Sequence, residues 1–157
     1  MQVEYKDAER DKEAVCAAIE TISSFFVSDG VTKFLRRKAQ LYTLFSVVFY
    51  MQREKIEVDQ HHKDRLESFV KLYSIFDNDM DLTGKITDPE KTLFDWLKKY
   101  KLASSEGLNK HTNRMIRYNV MKDFLFSLTG ELEAAQITLY EKMRSNSTDD
   151  VAEDPEE

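Results

Sequence analysis

The sequence predicts an all-α fold: a bundle of five or six helices over residues 1–144, followed by a disordered acidic tail over residues 145–157. Three observations predict it. Only 4 Gly and 2 Pro occur in 157 residues, whereas β-sandwiches and barrels need turn residues at each hairpin. Apolar residues recur at three- and four-residue spacings, the period of one helix face. Hydrophobic residues make up 41% and charged residues 33%, the balance of amphipathic helices with charged outer faces. A chain of this length forms one domain and can bury a core without disulfides or metals.

The first predicted helix covers residues 7–27, with Val15, Ala18, Ile19, Ile22, Phe25 and Phe26 on one buried stripe. Cys16 falls within that stretch and is expected to be a small buried core residue. Ser28, Asp29 and Gly30 break the helix, because glycine tolerates the backbone of a helix end. The second helix covers residues 32–54. Its apolar residues, among them Leu41, Tyr42, Leu44, Phe45, Val47, Val48 and Phe49, occupy most of its circumference, so it is expected at the centre of the bundle. A strand over residues 44–50 is the rival for the same Val, Phe and Tyr residues. The length of the periodic segment favours helix.

The third helix covers residues 58–76, with Leu66, Phe69, Val70, Tyr73 and Phe76 inward. A polar loop over residues 77–87 follows. Thr87 or Asp88 caps the fourth helix, with Pro89 in its first turn and Glu90 near the positive end of the dipole. Leu93, Phe94, Trp96, Leu97 and Tyr100 form its apolar face, and Lys98, Lys99 and Lys101 end it. The fifth helix starts between residues 109 and 112 and runs to 128, with Met115, Ile116, Val120, Phe124 and Leu125 inward. Gly130 ends or dents it, and a sixth helix continues to about residue 144.

The charge is unevenly distributed. Net charge is −6, yet six of the 29 acids lie in residues 145–157, leaving 23 against 23 Lys plus Arg. The helical body is therefore near neutral and free to carry a basic face. Residues 1–7 lack the basic-then-apolar pattern of a signal peptide, and the longest uncharged run, residues 39–52, is too short to span a bilayer. No membrane contact and a cytoplasmic location are expected.

Few chemistries fit these residues. Asp77, Asp79, Asp81 and Asp88 mimic a calcium loop, but Leu82 stands where the sharp turn needs glycine and Asp88 where a bidentate Glu belongs. His61 and His62 are adjacent and point about 100° apart on a helix, so they do not chelate one ion. No phosphate-cradling glycine loop, nucleophile elbow or His-Glu-x-x-His sequence occurs. No catalytic residue, cofactor or metal is expected. Basic clusters carry more. Arg36 and Arg37 open the second helix. Lys110, Arg114 and Arg117 lie on the fifth, where the i, i+3 and i+4 spacing favours one face. These five form the candidate nucleic-acid-binding set.

Residues 11–126 resemble the helical region that follows the catalytic half of GmrSD-type restriction and defence proteins. The likeness lies in Phe34-Leu-Arg36-Arg37, the helix from Leu41 through Phe45 to Phe49, the long helix from His62 through Leu66 to Asp77, and His111-Thr-Asn-Arg114-Met-Ile-Arg117-Tyr. The ParB/sulfiredoxin-like catalytic half is absent from the sequence, so no catalytic residue carries over. The resemblance implies a non-catalytic accessory domain or fragment of a prokaryotic DNA-restriction system. Its partners would be the catalytic half, or a partner subunit, and DNA. The alternative is a stand-alone protein-interaction bundle with no nucleic-acid role, suggested by the near-neutral body and by 7 Tyr, 10 Phe and 1 Trp.

Overall fold

The computed structural model describes residues 7–149. Among them lie seven helices and no strand: α1 (Ala8–Ser23), α2 (Asp29–Leu35), α3 (Lys38–Arg53), α4 (Gln60–Ile75), α5 (Asp88–Ser105), α6 (His111–Phe126) and α7 (Gly130–Asp149). The all-α class is as expected, with one helix more than the upper bound.

The extra helix arises because the expected second helix is two. Ser28 accepts the Val31 N–H at 3.3 Å and starts α2, so Ser28, Asp29 and Gly30 begin a helix rather than only ending one. The chain turns at Arg37, whose backbone is extended (φ −77°, ψ 122°), and restarts as α3. No glycine or proline marks this break. Packing makes it: α2 lies on α4 and buries Phe34 and Leu35, whereas α3 lies between α1 and α6. One straight rod could not reach both sets of neighbours.

Nor is α3 alone at the centre. Its outer face is open, with Tyr42 65% exposed. α4 and α6 share the centre with it: α6 packs on α3, α4 and α5, and α4 on α2, α5, α6 and α7. Phe69 is the hub. Its ring centroid lies 5.9 Å from those of Phe34 and Tyr73, 5.0 Å from Tyr100 and 4.8 Å from Phe124.

The first helix is shorter than expected and its buried stripe narrower. Ala18, Ile22 and Phe25 are buried, but Val15, Ile19 and Phe26 are exposed, as is Cys16. α1 has one principal neighbour, α3, and a single flank covers only the residues within about 60° of the contact line. The Cys16 expectation is therefore corrected.

Helix ends are secured by side chains. Asp59 and His62 form a reciprocal capping box on α4, with His62 half-buried and its ring 5.1 Å from that of Phe126. Thr87 and Glu90 form a second box on α5. α5 extends past Lys98, Lys99 and Lys101 to Ser105, so those lysines lie inside the helix rather than at its end. α7 begins at Gly130 and runs beyond residue 144. The expected tail boundary at 145 is thus corrected for residues 145–149, and residues 150–157 lie outside the described part. In the acidic loop, Asp77 accepts the Asp79 N–H and Asp81 the Thr83 N–H, each at 3.0 Å. Those carboxylates shape turns.

Glu90 is 2% exposed, and Lys142 of α7 donates to its Oε1 at 2.8 Å. Burial pushes the Glu90 carboxyl up, but hydrogen bonds from Lys142 and Thr87 outweigh it and hold the group below its ordinary 4.5. A folded-state value below the unfolded one makes the carboxylate stabilising above about pH 4.5, with the stability lost as pH falls through the lowered value. Glu90→Gln should cost about 1–3 kcal/mol at neutral pH. In urea titrations at a series of pH values, its midpoint should also fall less below pH 4.5 than that of the parent. Equal acid slopes would show that Glu90 does not carry this dependence.

Candidate nucleic-acid interface

α3 and α6 lie side by side and roughly parallel. Thr43 meets Arg117 at one end, and the Tyr50 ring lies 5.9 Å from Phe126 at the other. From α3, Tyr42, Ser46, Phe49, Tyr50 and Arg53 face the shared groove; from α6, His111, Arg114, Met115 and Tyr118. Both sets keep the three- and four-residue step of a single helix face. The groove holds about 590 Å3 and no carboxylate lines it.

Its walls alternate aromatic faces with cations. Tyr50 and Tyr118 meet edge to face at 6.5 Å. Lys122 Nζ sits 5.1 Å from the Tyr50 centroid and 5.3 Å from that of Tyr118, and the Arg53 guanidinium 5.9 Å from Tyr50. These cation–ring contacts hold the charges near the groove without neutralising them. Arg53 has only an exposed, 3.7 Å contact with Glu54, which is worth little against solvent. Arg114 is exposed and forms no ion pair among the described residues.

The five residues expected to bind nucleic acid are dispersed. Arg114 lines the groove. Lys110 is exposed just before α6, folded back over Gly107, where a Cβ would come within 2.8 Å of its Cδ. Arg36 is exposed at the end of α2, and Arg37 lines a different pocket, between α2 and α4. Arg117 leaves the set altogether. It is 3% exposed and donates to Ala103 O at 2.6 Å, Leu108 O at 3.0 Å and Thr43 Oγ1 at 3.3 Å. It cannot meet a phosphate. The shared-face expectation fails because Arg114 and Arg117 lie about 60° apart around the helix axis, enough for Arg117 to turn in against α5 while Arg114 stays exposed.

Beside Arg117 runs a buried polar chain: Tyr100 donates to Gln40, and Gln40 to Ser104 Oγ at 3.4 Å. Burial pushes the Tyr100 hydroxyl far above its ordinary range, so it stays a neutral donor.

The sequence places Tyr42 and Phe49 in the core and does not single out Tyr50, Tyr118 or Arg53 as binding residues, whereas Lys122 stands among the cations of the helix predicted to end at residue 128. The signal for them was the match between the 42/46/49/50/53 and 111/114/115/118 patterns. Among the described residues, no helix is long and apolar enough to cross a membrane, and no group of three or more His, Cys, Asp or Glu could hold a metal ion. No family model matches the chain, and no curated protein or solved structure matches it.

Proposed function

We propose that this chain is a non-catalytic, cytoplasmic helical accessory domain of a prokaryotic DNA-restriction or defence system, and that the α3–α6 groove is the surface it offers to an unpaired nucleic-acid strand. The observation that carries the reading is the groove itself. Four aromatic side chains stand with Arg53, Arg114 and Lys122 at one place, and no carboxylate lines it. Bases of any identity stack on aromatic rings while cations follow the phosphates. The resemblance to the GmrSD-type helical region supports the restriction context, with the catalytic half as protein partner.

Labelled single-stranded DNA, followed by fluorescence anisotropy, tests the groove. Three phosphate-contacting cations imply a log–log salt slope of about −2 for a single strand, so affinity should fall about 20-fold between about 50 and 200 mM salt. Tyr42→Ala should cost about 1–3 kcal/mol of binding, and Arg114→Ala should flatten the salt slope by about one unit. Duplex DNA should bind more weakly, because its bases are already stacked. No binding at low salt would remove the nucleic-acid clause.

A second reading, a protein-contact bundle without nucleic acid, is favoured by α1. Val15 and Ile19 on α1, and Phe26 and Val27 just after it, are 41–50% exposed, and exposed apolar patches mark protein-contact sites. Failure of DNA binding would make this face the one to pursue.

A further inference from the structure

A second cationic site lies away from the groove, in the pocket where α2 crosses α4. We propose that this pocket binds a terminal phosphate monoester, with the body of the ligand resting on an apolar floor. Lys33 comes from α2, Arg37 from the α2–α3 turn, Lys71 from α4 and Lys101 from α5. They line one pocket of about 300 Å3 whose floor is Phe34, Val70 and Tyr73. No carboxylate lines it, and none of the four cations takes part in an ion pair among the described residues.

This arrangement differs from a solvated charged face in two ways. In a chain with 29 acids against 23 Lys plus Arg, random placement would put carboxylates among four cations gathered from four segments. Like charges held together without a counter-charge also repel one another, a cost that an anion in the pocket would remove. The floor is preformed. Tyr73 is 8% exposed, with its ring edge-on to Phe34 at 5.6 Å and to Tyr100 at 5.4 Å. Lys101 Nζ stands 4.9 Å above that ring, so one cation is already positioned over the floor.

The break between α2 and α3 builds this site. It turns the chain at Arg37 and leaves that side chain exposed over α4. A continuous helix would carry residue 37 onward with α3, toward α1 and α6. A dianionic terminal phosphate suits four cations around one pocket better than a monoanionic diester, since its charge and its three free oxygens give more charge-assisted hydrogen bonds. The same group occurs on a free phosphorylated small molecule and on the 5′ end of a nucleic-acid strand.

Calorimetric titration at low salt tests the proposal with thymidine 5′-monophosphate, thymidine and inorganic phosphate as probes. The monophosphate should bind at least about tenfold more tightly than thymidine, with inorganic phosphate weaker than the monophosphate because it lacks the body that covers the floor. Lys71→Ser combined with Lys33→Ser should weaken the monophosphate by about tenfold. Both lysines are exposed, and circular dichroism should confirm an unchanged fold. Tyr42→Ala, which damages the α3–α6 groove, should leave this binding unchanged, so loss of one site is distinguishable from loss of the other. An oligonucleotide whose affinity rises with a 5′-phosphate, and falls back in the lysine variant, would identify the strand end as the source. Equal affinity with and without the 5′-phosphate, beside tight monophosphate binding, would identify the free molecule. Equal binding of thymidine and its monophosphate, no binding of either at low salt, or full affinity in the lysine variant would overturn the proposal.

Discussion

Replacing Arg117 by methionine should cost about 3–4 kcal/mol of folding stability, because each hydrogen bond from a guanidinium contributes roughly 1.5–3 kcal/mol and its loss leaves buried acceptors unpaired. Arg117 donates to Ala103 O in the last turn of α5, to Leu108 O in the following loop and to Thr43 of α3. The last carbonyls of a helix lack internal partners and carry the negative end of its dipole. Arg117 therefore caps α5 from α6 while fastening both to α3. Methionine fills much of the volume but donates nothing. For a domain of this size the loss corresponds to a fall in melting temperature of about 6–16 °C. Arg117→Lys should recover little of it, since one ammonium cannot reproduce the planar fork. Urea denaturation reads the effect directly. A cost under about 1 kcal/mol would mean that water replaces the guanidinium at all three acceptors.

The consequence for the groove follows from the same bonds. Arg117 holds α3 against α6 just below the groove mouth, where Thr43 lies one residue from Tyr42. Its loss should also weaken single-stranded DNA binding, without any contact between Arg117 and the strand. A phosphate-contacting arginine would behave differently: binding would fall while the melting temperature held.

Phe69→Ala should be at least as damaging, with an expected cost of about 3–5 kcal/mol for a fully buried aromatic truncated to a methyl group. Phe69 is 0% exposed and touches rings from α2, α4, α5 and α6. Beyond the lost transfer energy, each favourable ring pair contributes roughly 0.5–1.5 kcal/mol. Four neighbours on four helices cannot collapse into the space together. Phe94, half-buried and paired chiefly with Phe76 at 5.2 Å, should cost clearly less on truncation, about 1–2 kcal/mol if only half its area is withdrawn from water. Comparable losses at both positions, measured by urea denaturation, would show that α4 and α6 do not share the centre of the domain.

Much of this could be read from residues alone. The boundaries of α4 and α6 fell within a few residues of expectation, because their apolar period is regular. Thr87, Pro89 and Glu90 announced α5, since a capping box and an early proline act through bonds no more than three residues apart. The inward Leu66, Phe69, Tyr73, Leu93, Leu97 and Phe124 were all legible as core. The break at Arg36-Arg37 was not, and neither was the exposure of Tyr42 and Ile19. An apolar residue on a helix announces only that some surface will suit it, and whether a neighbour arrives is decided by the other helices.

Arginine shows the same limit from the polar side. Arg114 and Arg117, three residues apart with similar sequence surroundings, have opposite fates: one is exposed in an aromatic groove, the other buried beneath it. Arg65, not singled out from the sequence, bonds Leu125 O at 2.7 Å and Glu133 at 3.0 Å and secures the end of α6 as Arg117 secures α5. Local order therefore determined the helical class, most helix limits and the apolar stripes, because hydrogen bonds and side-chain periodicity within one turn depend on neighbours in the chain. Only the tertiary structure decided which cations face solvent and which rings form a groove. It also decided where the helix over residues 32–54 must break, because burial and charge pairing depend on groups brought together from distant parts of the chain.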